Sequence, residues 1–447
     1  MIEEWQRLFP DVDVQRQLQP VYPFNDPRAS IILYDGLVGG IATSERPGTV
    51  ELAFSNKPSI RWNVDRDSHD FSMSTGSVDL RLRRGERDWT VTAHGSIGGG
   101  WFNRAEFVAS DQQLQRVIVH WINLPNILAH GRIATDESGN GHCWLGRWET
   151  TVGGWHVTLD RRHDYDSVMV DTETAPLFVL THVMEVRQAD GGSFDVASAR
   201  QLLECLRVCF SFAFGRWVAP ALPVGYGAAG QVVWEEWTSP ICYPAQTIGA
   251  AWLYPLRPDD LAELVKHSLP AFLDQTRPGI TRFQMISAVQ SVETGFVEQR
   301  IMVAFPALEN LAWATLVLGC RVPKREYKNK RKWPGERRLR RLLELAHVPI
   351  DIDAATLPTL AGFAATKKLD GPAAVTTIRN MLIHPASPQD QIYHLDGLVL
   401  DAWLLSRHYL TLLVLHSIGY QGSYVKLVPP YGWAGDAKPV PWTATNQ

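Results

Sequence analysis

The chain changes texture near Ser193, and that change limits its fold more than any single motif does. Before it, apolar residues come in short runs, at 30–38, 49–54, 78–82, 89–93, 117–122 and 155–159. Asp35-Gly36, Pro47-Gly48 and Gly153-Gly154 supply turn signals among them. Val78, Leu80 and Leu82 alternate with Asp79, Arg81 and Arg83, the period of a half-buried strand. Residues 1–190 therefore read as a β-rich domain, a sandwich or a barrel-like sheet. Residues 191–280 read as a mixed segment that continues this N-terminal part. Asp195 caps a helix over 196–214, strands are expected at 230–237 and 246–253, and Pro258-Asp259-Asp260 opens a helix to about 276.

From Thr281 to the end the pattern is almost wholly helical. One long helix is expected over 282–318, kinked at Pro306, then a basic segment and a helix ending near His347. After a loop at 349–353 come helices from Leu357, from Pro372 to His384 before Pro385, and over 389–417, stopped by Gly419. The tail after Tyr424, rich in Pro, Gly and Trp, is expected as an irregular strap. The whole is an α+β multidomain chain, with an all-α helical bundle over 281–447.

Charge follows the same division. The net charge of −4 combines +6 over 281–447 (19 Lys+Arg, 13 Asp+Glu) with −10 over 1–280 (24 and 34), so a polyanion is expected to meet the C-terminal part. Five cysteines, an odd number without a C-x-x-C pair, support neither a disulfide framework nor a zinc ribbon. The beginning, MIEEWQRLF, is unlike a signal peptide, and no run approaches the ~18 apolar residues of a membrane span, so a cytoplasmic protein without a membrane partner is expected.

The chemistry-bearing feature is Arg379-Asn380-Met381-Leu382-Ile383-His384, an R-x-x-x-x-H pattern. With 33 arginines and 14 histidines in 447 residues, chance alone supplies about one such pair, so context gives it its value. Arg379-Asn380 is the only Arg-Asn pair, and the motif closes a helix in a basic helical region before a long final helix. This arrangement resembles the HEPN superfamily, helical bundles whose ribonuclease members carry an Arg-polar-x-x-x-His motif. The segment from Trp403 through Arg407-His408-Tyr409, Gly419-Tyr420, Gly422 and Tyr424 to Val440-Pro441-Trp442 resembles the C-terminus of ApeA-type anti-phage HEPN proteins. Glu309 matches an acidic position on an early helix of such domains, and the N-terminal β region is similar to theirs.

The resemblance implies a metal-independent endoribonuclease with no cofactor, in an abortive-infection system. Its substrate would be RNA (tRNA is one possibility) and its trigger an unknown phage-derived one. It also implies a homodimer, or a higher even oligomer, with Arg379, Asn380 and His384 catalytic and Glu309 accessory. The chemistry is intelligible from the residues. Histidine serves as base or acid near neutrality, arginine matches phosphate with a fork of donors, and asparagine bonds the phosphate or orients the histidine. On a helix, residues five apart are about 140° and roughly 7.5 Å from each other, so Arg379 and His384 converge only at a frayed end or across a dimer. The other reading of the motif is a capped helix end, with Arg379 paired to a surface carboxylate.

A second feature is the stretch 321–341, eleven basic residues against Glu326 and Glu336. Lys324, Arg325, Lys328, Lys330, Arg331, Lys332, Arg337 and Arg338 are its candidate RNA contacts. Tyr327 and Trp333 are interleaved and available to stack on bases. A solvated face with no ligand is the competing reading. Glycine-rich 95–100 lacks Gly-Lys-Ser/Thr and reads as a tight turn before Trp101. Asp11, Asp13, Asp164, Asp166, His163 and His142-Cys143 show no metal-ligand spacing. Two further function classes stay open: a non-catalytic HEPN nucleotide- or RNA-binding scaffold, and a β domain that uses its tryptophans to bind carbohydrate or peptide. Twelve of the 17 tryptophans precede residue 281.

Overall fold

The structure, a computed structural model, describes residues 7, 13–40, 45–65, 76–84, 87–96, 98–109, 113–135, 142–170, 177–245, 251–254, 256–293, 295–384, 392, 395–428 and 436–446. It is a mixed α/β chain in two compact units: 1–207 with 217–247, and 208–216 with 248–447. The helical unit thus begins near 248 and takes in 208–216, where sequence pattern alone set its start at 281.

In the first unit, alternation closes a barrel. Strands β2 (Ile31–Gly39), β3 (Arg46–Ala53), β4 (Ser59–Val64), β5 (Gly76–Arg84), β6 (Arg87–Ser96) and β7 (Gly99–Phe102) pair in the order β2-β3-β4-β7-β6-β5. Val38 opposite Leu82 and Gly39 opposite Arg81 complete the ring. Val50, Leu52, Ile60, Trp62, Leu80, Leu82, Ala93 and Phe102 point inward and are buried, and the polar residues between them face out. Two expected turns are not turns. Asp35-Gly36 lies within β2 and Pro47-Gly48 within β3, where the glycines face each other across the ladder. A Cβ on Gly48 would stand 2.5 Å from the Asn63 carbonyl oxygen, so glycine serves close approach there.

Three of the runs expected as strands, at 117–122, 155–159 and 230–237, belong not to the barrel but to a nine-stranded sheet, whose other strands the sequence pattern did not foretell. It comprises β1 (Val14–Arg16), β8 (Arg104–Val108), β9 (Arg116–Ile122), β10 (Gly131–Ala134), β11 (Cys143–Val152), β12 (Trp155–Arg161), β13 (Leu180–Gln188), β14 (Ala219–Tyr226) and β15 (Val232–Thr238). The order is β1-β10-β11-β12-β13-β9-β14-β15-β8. Gly153 and Gly154, both at positive φ, make the two-residue turn of the β11–β12 hairpin. Arg147 forks onto buried Asp160 at 2.8 and 2.6 Å and ties β11 to β12. The helices here are α1 (Tyr165–Val170) and α2 (Val196–Phe214), whose first turn is capped by Asp195 accepting from the Ser198 N–H at 2.7 Å. Ala251–Leu253 is irregular rather than a strand; the rest of that expected strand, 246–250, lies outside the described residues.

The second unit holds α3 (Pro258–Leu273), α4 (Ile280–Glu293), α5 (Val297–Ala312), α6 (Lys324–Tyr327), α7 (Gly335–Leu345), α8 (Pro358–Lys367), α9 (Gly371–Ile383) and α10 (Leu398–Ile418). The single helix expected over 282–318 is two helices, parted near Gly295, and Pro306 lies inside an unbroken α5. A π-helical stretch, Trp313–Gly319, follows α5. α10 begins at 398, after a left-handed Gly397. The tail is more regular than a strap, with Ser423–Val425 (β16) pairing with Ala437–Pro439 (β17) and a 3-10 turn at Pro441–Asn446. α10 packs against α3, α4, α5, α7, α8 and α9, which explains its apolar residues on every side. Both 297–319 and 398–418 have the length and hydropathy of a membrane span. However, 56% and 89% of their apolar windows are buried in the protein, as in core helices.

Side chains from distant helices satisfy the helix starts. Asp401 of α10 accepts from the Thr359 and Leu360 N–H groups at 3.0 and 3.1 Å, since α8 has no cap of its own. Asp370 caps α9 through the Ala373 N–H at 2.9 Å and takes a two-pronged bond from Arg340 of α7 at 2.6 and 3.0 Å. Gly371 must be glycine, because a Cβ would lie 2.2 Å from the Tyr409 hydroxyl. Burial pushes the Asp370 carboxyl up, but the Arg340 and Ala373 bonds outweigh it and hold it below the ordinary value of 3.8. Asp370→Ala is expected to destabilise the helical unit by about 1–2 kcal/mol, summing a cap and a partly exposed ion pair. Because the folded-state pKa is depressed, this contribution is present above 3.8 and is lost as pH falls below it. Urea unfolding of both proteins at pH 7 and at pH 3 tests this; an equal gap at the two pH values would refute the assignment.

Candidate functional site

The site is built on the end of α9. Thr376, Arg379 and Asn380 fall on neighbouring positions of its last two turns, and His384 is the residue after the helix. His384 still donates its backbone N–H to the Asn380 carbonyl at 2.7 Å, but its φ of −127° and ψ of 69° take it off the helical path. That departure resolves the five-residue spacing. Arg379, Asn380 and His384 line one cleft of about 440 Å³, which a regular helix would not arrange. Pro385, expected to force this break, lies outside the described residues.

The opposite walls come from α5 and the basic segment. Glu309 stands 3.6 Å from the Arg379 guanidinium, which also donates to the Asn380 side-chain oxygen at 3.0 Å and lies over the Phe305 ring at 5.7 Å. Lys330, Trp333, Glu336 and Arg338 complete the lining, with Pro334-Gly335 between them. The Arg379 side chain keeps 25% of its surface exposed and Glu309 keeps 56%, so the pair is water-screened and breakable. An entering phosphate would compete with Glu309 for the same guanidinium.

Within the basic segment, the residues have different roles. Lys324, Arg325, Lys328, Arg331, Lys332 and Arg337 are exposed but do not line the cleft. Tyr327 is buried, with the Arg338 guanidinium 4.2 Å over its ring, so it is not available for base stacking as the sequence suggested. Its burial is the physical reason: short helix α6 turns the ring inward, and Arg338 clamps it through the Tyr327 carbonyl at 2.9 Å. Trp333 remains half-buried at the cleft, with Arg337 over its ring at 5.2 Å and donating to the Lys332 carbonyl at 2.7 Å. Thr376 is the lining residue that sequence reasoning missed; its spacing of three from Arg379 was the available signal. The Nε atoms of Arg338 and Arg379 and the Thr376 hydroxyl are buried without a hydrogen-bond partner, an unsatisfied polar rim around the cleft. Among the described residues no group of three or more His, Cys, Asp or Glu side chains is placed to hold a metal.

Comparison with known proteins gives two family matches: the YopA central domain over residues 109–248 and the YopA C-terminal domain over residues 287–438. The second span contains every residue of the cleft. The SPbeta prophage-derived uncharacterized protein YopA of Bacillus subtilis (strain 168) is 25% identical over 368 residues, covering 79% of this chain and 78% of the relative. No solved structure matches.

The geometry predicts an order of anion affinity. Tripolyphosphate should raise the melting temperature of the wild-type protein, raise that of Arg379→Gln less, and raise that of Glu309→Gln more, because the last variant frees the guanidinium. Thermal-shift titrations read this directly, and equal shifts in all three proteins would show that the cleft takes no anion.

Proposed function

We propose that the chain is a metal-independent endoribonuclease of a defence system directed at phage, acting through a HEPN-type helical bundle. The observation that supports this most is the convergence of Arg379, Asn380 and His384 in one cleft with a cationic and aromatic wall. The prophage origin of the Bacillus relative fits a role in conflict between resident and invading phages.

In this reading a histidine takes the proton of a ribose 2′-hydroxyl, and the 2′-oxygen attacks the adjacent phosphorus. The bond to the 5′-oxygen breaks, and that oxygen leaves with a proton from an acid. The products are a 2′,3′-cyclic phosphate and a 5′-hydroxyl. Arg379 offsets charge on the pentacoordinate phosphate once it exchanges Glu309 for the substrate. Asn380 holds the guanidinium fork in place. One chain supplies one motif histidine, so base and acid call for His384 of two copies across a two-fold axis. The C-terminal helices would then form a homodimer, and the β-rich unit would gate or target the nuclease.

A second reading has its own observation. Arg379 already has two contacts within the chain, Glu309 at 3.6 Å and the Asn380 side-chain oxygen at 3.0 Å, as a helix-end structural residue would. The cleft would then belong to a nucleotide- or RNA-binding scaffold.

The experiment is cleavage of total tRNA in EDTA by wild type, Arg379→Ala and His384→Ala, with and without lysate from phage-infected cells. Cleavage leaving 2′,3′-cyclic ends is expected for the wild type. Each variant should lose at least about 100-fold, the scale of a lost acid–base or oxyanion-stabilising group. Light scattering of the purified protein should give a dimer mass. RNA binding retained by all three proteins without cleavage in any condition would select the scaffold.

A further inference from the structure

The outer face of the barrel carries a feature that the cleft does not use. Arg61 of β4, Trp101 of β7 and His94 of β6 are direct cross-strand partners, Arg61 opposite Trp101 and Trp101 opposite His94. They form one outward row across three strands. The indole is 53% exposed, although Trp62, on the strand beside it, is fully buried. His94 packs near it with ring centroids 6.0 Å apart. Lys57, Arg61, Asn63, Trp101 and Asn103 line a groove of about 510 Å³ here, and no carboxylate lines it among the described residues. The next carboxylate along the row, Glu51 opposite Arg61, lies outside the groove lining and accepts from the Ser30 hydroxyl at 2.6 Å, while Arg61 donates to the Ser55 hydroxyl at 3.0 Å.

We propose that this groove binds single-stranded nucleic acid, with a base stacked on Trp101 and phosphates on Lys57 and Arg61. An exposed indole gains most by covering its face with a flat ring. Two cations lining the same groove as that ring, without an acid in the lining, suit a ligand that alternates planar groups with negative charge. Asn63 and Asn103 supply donors and acceptors for a base edge or a sugar. A neutral glycan would use the indole and amides but leave the cations without a purpose, so the charge favours nucleic acid. The proposal is independent of the nuclease reading, since stacking and phosphate contact need no 2′-hydroxyl.

The test uses the full chain carrying Lys330→Glu and Lys332→Glu, which weakens the competing basic segment. A fluorescein-labelled ten-residue oligothymidylate, which an RNA transesterification site cannot cut, is the probe. Anisotropy should show Trp101→Ala binding about tenfold or more weakly, Trp101→Phe recovering most of the loss, and Arg61→Gln lowering the salt slope by about 0.7. Photo-cross-linking of a 5-iodouracil probe should label the peptide 88–104, which covers the case of an unstable Ala variant. Binding that ignores Trp101 with no label on that peptide overturns the proposal. So does Trp101-dependent binding of soluble oligosaccharides or extended peptides by a groove that does not take oligothymidylate.

Discussion

The Asp370 carboxylate fixes where the candidate site of the helical unit lies. It satisfies the start of α9, which holds Arg379, Asn380 and His384 at its other end, and it grips Arg340 of α7. α7 in turn follows the basic segment and carries Arg338 into the cleft. One side chain therefore sets both the axial position of the motif helix and the approach of the cationic wall. Gly371 supports this by letting the start of α9 lie against Tyr409 of the buried α10, where any side chain would collide. The result is rigid at the start of α9 and ends in a helix terminus, where a histidine can leave the helical path.

The cleft balances its own charge. Arg379 is held by Glu309 across the groove and by Asn380 beside it, and both contacts are partly exposed to water. An exposed pair of this kind is worth at most about 1 kcal/mol, whereas a guanidinium bonded to phosphate gains two charge-assisted bonds. The resting arrangement is therefore cheap to exchange. Desolvation adds to the bias, because the Nε atoms of Arg338 and Arg379 and the Thr376 hydroxyl are buried without partners of their own. The cleft thus combines unsatisfied polar atoms with a weakly held cation, the features on which the proposed anion site rests.

Much of this was legible in the sequence, for identifiable reasons. The barrel strands announced themselves through strict alternation, as in Leu80 and Leu82 against Asp79, Arg81 and Arg83. The helix start at Asp195 followed from capping chemistry, that of α9 from Pro372 in its first turn, and the end of α10 from Gly419, which is left-handed in the structure. Several failures share one cause, which is that the outcome depends on partners outside the local window. Asp35-Gly36 and Pro47-Gly48 have turn composition, yet their strands run on, with Gly36 opposite Gly48 and the Asn63 carbonyl too near Gly48 for a Cβ. The nine-stranded sheet joins segments as distant as Val14 and Ala134, which no local window sees. In the site, Arg379, Asn380, His384 and Glu309, singled out in the sequence, line one cleft in the structure. It misjudged Tyr327, whose burial depends on Arg338 eleven residues later.

Net charge over a long segment is a coarse guide for the same reason. Residues 1–280 sum to −10, which argued that a polyanion would avoid them. Yet a sum over 280 residues says nothing about which side chains share a face. Many acids in this half are already committed. Asp160 is spent on Arg147, Glu235 on Arg84, and Glu106 and Glu236 on Arg104 and Arg200. Meanwhile pairing of β4, β7 and β6 brings residues 61, 101 and 94 side by side, and strand alternation turns all three outward. A local cationic and aromatic row therefore coexists with an acidic total, because potential at a groove is set by the unpaired charges within about 10 Å of it at 0.1 M salt. The physically relevant quantity in a β-rich unit is the charge left over on each face after its ion pairs are formed, and only the register supplies it.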